Sequence, residues 1–434
     1  MGETSSVWAP ANVSGGLMLS TLYKSAAMRA AAVLGLGGLA FTLGNLIFAR
    51  TLPAQEYGVV SLFIGIVAVA GLAAPLGLDL VIGRRGLVLD SRWRRAIAGT
   101  TISIGLVTVL VSAILYRPEP AILACIAITT VASGLIQASA AHFQGQQRFG
   151  PATWIVQLSN WTLLLAAALA AVLGIETAAR SCELLAATTT AGGAFAWLVA
   201  RTTLAGQPAP GVLRKEGLSL VSIHVSNSVF LQLERLLLAP FAGVQALALF
   251  GVVAALVASP FRMLQMAVLF TLTPSLRQAS GIEERRRLLR REMLLVGCVI
   301  AVGSVVAWYV APPLAHWFLA GRYDLSAALM CATLVSGALK LCSAFATGTV
   351  IALSEEKGLR ALGVVSWMTI GLSVVASLLA VPWGLVGVLY GVSAGWLVRS
   401  LIAGWMAMPY LRRPGARLLR ARYEDRSQMP GAPR

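Results

Sequence analysis

The chain has 434 residues, 58% of them hydrophobic and 12% charged, with a mean hydropathy of +0.80. That balance excludes a water-soluble globule: the chain must fold in a bilayer, where about 20 apolar residues cross the ~30 Å hydrocarbon core as a helix. A net charge of +17 and a pI near 10.7 would point to nucleic acid in a soluble protein, but in a membrane chain they express the positive-inside bias, and no nucleic-acid partner is expected.

Residues 1–23 read as a cytoplasmic segment without a cleavable leader, so the first span is retained. About twelve apolar spans follow, at 26–49, 56–83, 94–115, 119–141, 151–173, 182–204, 216–239, 245–270, 292–312, 325–352, 359–381 and 384–408. They divide into an N-terminal six-helix lobe (24–204), a cytoplasmic linker (205–215) and a C-terminal six-helix lobe (216–410), ahead of a basic, disordered cytoplasmic tail (411–434). The expected fold class is an all-α polytopic membrane protein, its two pseudo-symmetric lobes surrounding a central cavity. Among the connections between spans, the odd-numbered ones carry only Arg50, Arg117, Arg180 and Arg322, whereas the even-numbered ones are rich in Lys and Arg. This asymmetry puts both termini in the cytoplasm and calls for an even number of spans.

The first span is Gly-rich, and the twelfth carries Gly387, Gly391 and Gly395 at spacing four, a small-residue face that admits a close neighbour. Between the eighth and ninth spans, Glu283, Glu284, Arg285, Arg286, Arg287, Arg290 and Arg291 predict a short cytoplasmic helix resting on anionic headgroups. The five cysteines lie in or beside apolar spans and form no Cys-x-x-Cys pair, so metal and redox chemistry are not expected. Weak matches between the halves, at shifts of about 190 and 209 positions, suggest parallel repeats of the kind that place a substrate path between them.

Ionisable residues inside spans are expensive, about 2.5–3.5 kcal/mol each on insertion scales, and usually face a cavity or a partner. The seventh span concentrates them: His224, Asn227, Glu234 and Arg235, with several Ser and Gln residues nearby. Either Glu234 and Arg235 only cap the outer end of the helix or pair with neighbours, or one face lines a wet lumen. Arg262, Lys340 and Arg399 are further intramembrane cations, none with a carboxylate at spacing three or four on its own helix. Left unneutralised, they give a positive lumen suited to phosphate or pyrophosphate; the alternative is that each pairs with a backbone carbonyl or snorkels. In the N-terminal half Arg29 and Asn45 are the candidates taken forward; Gln137, His142 and Asn160 are weaker, and Asp79 is read as a local ion pair with Arg84 and Arg85. The histidines are scattered, and there is no carboxylate pair or phosphate loop, so no catalytic constellation, cofactor or metal site is expected.

Several segments resemble the polysaccharide-transporter branch, including O-antigen flippases, of the multidrug/oligosaccharidyl-lipid/polysaccharide (MOP) flippase superfamily. They are Phe48-Ala49-Arg50-Thr51-Leu52-Pro53-Ala54-Gln55-Glu56-Tyr57-Gly58, Leu76-Gly77-Leu78-Asp79 followed by Arg84-Arg85, Leu233-Glu234-Arg235 and Leu272-Thr273-Pro274. The family often has Asp where Glu234 stands. The resemblance implies alternating access in the bacterial inner membrane, with an oligosaccharide on undecaprenyl pyrophosphate as substrate. It also implies coupling to H⁺, Na⁺ or the membrane potential, and a polysaccharide polymerase as a candidate partner. The alternatives are a cation-coupled multidrug exporter of the same fold and, less favoured, a polysaccharide polymerase or ligase.

Overall fold

The computed structural model describes residues 26–202, 214–279 and 281–412, without the side chains of 26–32, 202, 214–220, 270, 271, 274, 278 and 356. The expected N-terminal segment 1–23 and nearly all of the linker 205–215 and tail 411–434 lie outside the described residues. Every extended element described is helical: α1 Ala26–Thr51, α2 Ala54–Ala73, α3 Leu78–Arg85, α4 Ser91–Leu115, α5 Pro120–Gly145, α6 Phe149–Val172 and α7 Ala178–Thr202 in the first half. The second half holds α8 Arg214–Ala242, α9 Val244–Val253, α10 Ser259–Gln278, α11 Ile282–Phe318, α12 Ala327–Leu353, α13 Glu356–Ala380 and α14 Gly384–Arg412.

Among the described residues, ten stretches are long and apolar enough to cross a membrane. One of them, Lys357–Arg412, is the helix pair α13 and α14 joined by a short 3₁₀ turn at Val381–Trp383. Splitting that stretch and adding α8, whose polar residues keep it off the apolar set, recovers the twelve expected spans.

Two expected elements take a different form. The second span breaks into α2 and α3, because Pro75 cannot donate to the preceding turn and Leu76 and Gly77 turn left-handed (φ 49° and 73°). The basic connection after α10 is not a separate helix but the first turns of α11, a continuous 37-residue helix. At 1.5 Å per residue it is about 55 Å long, well beyond the ~30 Å of hydrocarbon. Between α9 and α10 a π turn, Ala254–Ala258, widens the helix ahead of Pro260, whose ring and missing N–H disturb a regular turn.

The two halves repeat one packing scheme. In the first, α1 packs on α6, α5 on α7, and α2 on α5; in the second the corresponding pairs are α8 on α13, α12 on α14, and α10 on α12. The glycine face of α14 meets α13 as expected. A β-carbon added to Gly391 would lie 2.5 Å from the Ser377 backbone, and one on Gly395 would lie 1.7 Å from Ser373 Oγ and 2.9 Å from the Thr369 carbonyl. Gly395→Val should therefore force α13 and α14 apart. The expected cost is about 1–3 kcal/mol or more, read as a lower midpoint of thermal unfolding in detergent.

The core is distributed unevenly along the helices. At the end carrying the Arg-poor connections, a single buried cluster joins both halves through residues such as Phe48, Tyr57, Leu163, Phe230, Leu247, Phe250 and Leu319. At the Arg-rich end the cores are separate. One belongs to the first half (Leu78, Ile82, Trp93, Phe143), and two belong to the second (Phe261, Leu272, Phe345 and, apart from these, Val350, Leu362, Ala403).

Polar contacts follow the same division. Near the Arg-poor end Arg322 Nη1 donates to the Arg50 carbonyl at 2.8 Å, and the Tyr116 hydroxyl to the Leu236 carbonyl at 3.1 Å. Arg50 lies over the Phe318 ring, and a β-carbon on Gly58 would meet the Val244 carbonyl at 2.2 Å. The halves therefore share one core at the Arg-poor end, while toward the Arg-rich end their cores are separate and α3 still packs on α8.

Candidate functional site

Helix α8 places most of the predicted polar residues. It packs against α2, α3, α9, α13 and α14, so a polar face that would be costly against lipid is turned toward protein and the space between the halves.

Glu234 is buried, and its carboxylate reaches across to α12. Lys340 Nζ donates to Oε2 at 2.7 Å and Ser336 Oγ to Oε1 at 2.6 Å. Ser336 and Lys340 are one turn apart on α12, so both reach the same carboxylate. This corrects the reading of Lys340 as an unneutralised lumen cation: its counter-charge is supplied by another helix. It also makes Glu234 an internal ion-pair partner rather than a helix-end cap or a free contact for a ligand.

Arg235, the next residue, points elsewhere. Its guanidinium carbon lies 5.6 Å from the centre of the Phe41 ring on α1, and that of Arg262 on α10 lies 5.1 Å from the same ring. Thr42 Oγ1 and Ser259 Oγ, 2.7 Å apart, tie α1 to α10 beside them. Arg235 is 4% exposed, and its Nη1 is buried with no hydrogen-bond partner. Arg262 is half-buried and, among the described residues, forms no salt bridge. Two guanidinium groups thus share one aromatic ring, while the adjacent carboxylate is engaged with Lys340.

Arg399 on α14 is 2% exposed. It lies 5.5 Å from the Phe230 ring and 5.3 Å from that of Trp396, two rings stacked at 3.9 Å, and donates from Nη1 to Asn227 Oδ1 at 3.3 Å. This corrects its assignment, and that of Asn227, as open lumen contacts: aromatic faces hold the cation and its amide partner inside the bundle. His224, one turn along α8 on the face that Arg399 approaches, is exposed.

In the first half, Asn45 is fully buried, donating to the Phe41 carbonyl at 2.8 Å and facing the Tyr57 hydroxyl at 3.5 Å, so it braces α1 against α2 instead of lining the cavity. Arg29 lies on α1, but its side chain is outside the described set. His142 is buried beside the Leu87 carbonyl and Gln146, and Asn160 donates to Gln157. Asp79 turns inward in place of the expected local ion pair; it is buried, with Oδ1 unpartnered.

No family profile and no curated protein sequence matches this chain. Solved structures do match along most of its length. An inward-facing multidrug resistance MATE family transporter of the MOP superfamily aligns over 89% of this chain and 98% of its own, at 16% identity and a TM-score of 0.56. A MOP superfamily transporter from Pyrococcus furiosus, reported with a binding pocket of reverse polarity that suggests a different function, aligns over 91% and 98%, at 15% identity and a TM-score of 0.59. A MATE structure in a bent conformation aligns over 90% and 97%, at 15% identity and a TM-score of 0.52. The chain shares the overall helical fold of these solved structures.

Within this fold, Phe41, Ser336, Phe230 and Trp396 complete the polar groups, and none of the four stood out in the sequence. An aromatic beside Asn45 in a Gly-rich span and a Trp three residues before Arg399 were the available signals, both easily read as ordinary apolar filling. Of the predicted set, the structure brings Arg235 and Arg262 together and leaves His224 open.

Proposed function

We propose that the chain is a flippase for an anionic lipid-linked oligosaccharide of the undecaprenyl-pyrophosphate class, moved across the bacterial inner membrane by alternating access. The observation that carries this reading is the pair Arg235 and Arg262: two guanidinium groups on one ring, neither in a salt bridge among the described residues, since Glu234 pairs with Lys340. Buried like charges favour a visiting anion, and a guanidinium presents a fork matched to phosphate oxygens. Each sugar hydroxyl taken unpaired into hydrocarbon costs about 4–8 kcal/mol against cyclohexane, and a bare pyrophosphate far more. A protein-lined path replaces that lost hydration while the polyprenyl tail stays in lipid.

With the Arg-rich connections on the cytoplasmic side, the end where the two halves have separate cores would open inward and admit the head group from the leaflet where it is made. His224 is a candidate for coupling to protons; Na⁺ or the membrane potential are the other candidate drives. A polysaccharide polymerase would receive the product outside. The reverse-polarity pocket reported for the Pyrococcus furiosus protein is in keeping with a MOP fold used for something other than cationic drugs.

A second reading, multidrug export, is favoured by the multidrug resistance MATE transporters among the structural neighbours. Against it stands the occupation of Glu234 by Lys340, which removes a buried carboxylate that a coupling cation or cationic drug would use. Deletion followed by analysis of lipid-linked saccharide tests both. The flippase reading expects the lipid-linked repeat unit to accumulate on the cytoplasmic face, with rescue by the wild-type gene. Normal polysaccharide with heightened drug sensitivity would replace it with the exporter reading.

A further inference from the structure

We propose that the first turns of α11 form a binding site for the headgroups of anionic phospholipids at the Arg-rich membrane face. The argument is independent of what the transporter carries. An open groove of about 780 Å³ is lined there by Glu283, Arg286, Arg287, Arg290, Arg291 and Leu294. Glu283 and Arg286 pair loosely at 3.6 Å, and Arg286 Nε also donates to the Leu411 carbonyl at the end of α14, 3.1 Å away. Arg287, Arg290 and Arg291 remain exposed, three cations within about one helical turn, roughly 6 Å of axis.

The patch is held in place rather than trailing into solvent. On the opposite side of the helix Leu289, Val296 and Ile300 pack on the second-half core. One turn beyond the arginines the exposed surface becomes apolar, with Leu294 60%, Leu295 53% and Val302 65% exposed. A cationic groove opening directly onto an apolar helix face matches a lipid with a phosphate head and acyl tails. A soluble anion would leave the apolar part unused, and an acidic protein would not need it at membrane depth. Charge complementarity and this head-to-tail order therefore select an anionic phospholipid. Because α11 is a single helix, a lipid held at its start bears on a transmembrane element directly.

The test uses the full-length protein reconstituted in phosphatidylcholine vesicles with and without phosphatidylglycerol. Spin-labelled analogues of the two lipids report their relative association with the protein. Wild type should hold phosphatidylglycerol in preference to phosphatidylcholine, and the triple variant R287Q/R290Q/R291Q should lose roughly fivefold in that preference per arginine removed. R287K/R290K/R291K should keep most of it, and high salt should erase it in the wild type. Equal association of both lipids with wild type, or a preference indifferent to salt or to the Gln substitutions, would overturn the proposal. Should the Gln variant fail to fold, the salt titration of the wild type decides alone.

Discussion

Arg262→Met is expected to yield a protein that is more stable and no longer transports. Arg262 and Arg235 lie over the same Phe41 ring, and neither is paired with Glu234. In the empty protein they repel one another at the cost of partial desolvation, while a phosphate-bearing head group would relieve both. Met keeps the length and apolar stem of Arg without the charge. Replacing buried ionic groups with apolar ones of similar volume commonly stabilises by about 1–4 kcal/mol. The midpoint of thermal unfolding in detergent should rise and, under the proposed flippase function, the lipid-linked repeat unit should accumulate. Such opposition between stability and activity is expected at a site whose strain serves binding. A variant that transports normally would remove Arg262 from the substrate path.

Glu234→Gln is expected to act in the opposite direction on stability. The carboxylate carries both Lys340 Nζ at 2.7 Å and Ser336 Oγ at 2.6 Å, with side-chain exposures of 5% for Glu234 and 12% for Lys340. Removing one partner strands the other charge where water cannot reach it well, a loss of about 3–5 kcal/mol. The double variant E234M/K340M removes both charges and should recover most of that loss. Thermal unfolding of the wild type, the two single variants and the double variant would measure the coupling. A double variant as unstable as the singles would show that packing, not the ion pair, holds α8 to α12 here.

The spans were legible in the sequence because a bilayer leaves the backbone little choice: long apolar stretches must be helices, and their Arg-rich connections mark one side. The α13–α14 contact was legible too, since Gly387, Gly391 and Gly395 repeat on one face of a single helix. The break after Ala73 was signalled by Pro75, but an otherwise apolar run concealed it. The continuity of α11 was hidden for the reverse reason, because its charged start resembles a connection. Least legible was the partnering of cations. Lys340 meets a carboxylate 106 positions away, and Arg399 meets an amide 172 positions away. Such meetings depend on how each helix is rotated about its own axis, which local spacing does not record. The seventh span stands out in the sequence because its polarity has no lipid-facing explanation, and in the structure its buried Glu234 and Arg235 face other helices.

The uneven core has a thermodynamic corollary. For the two halves to part at the opposite end, the cluster built on Tyr57, Phe230, Leu247 and Phe250 must be pulled open and partly wetted. Exposing apolar surface to water raises heat capacity, so the interconversion should carry a calorimetric signature, and its equilibrium constant should bend with temperature.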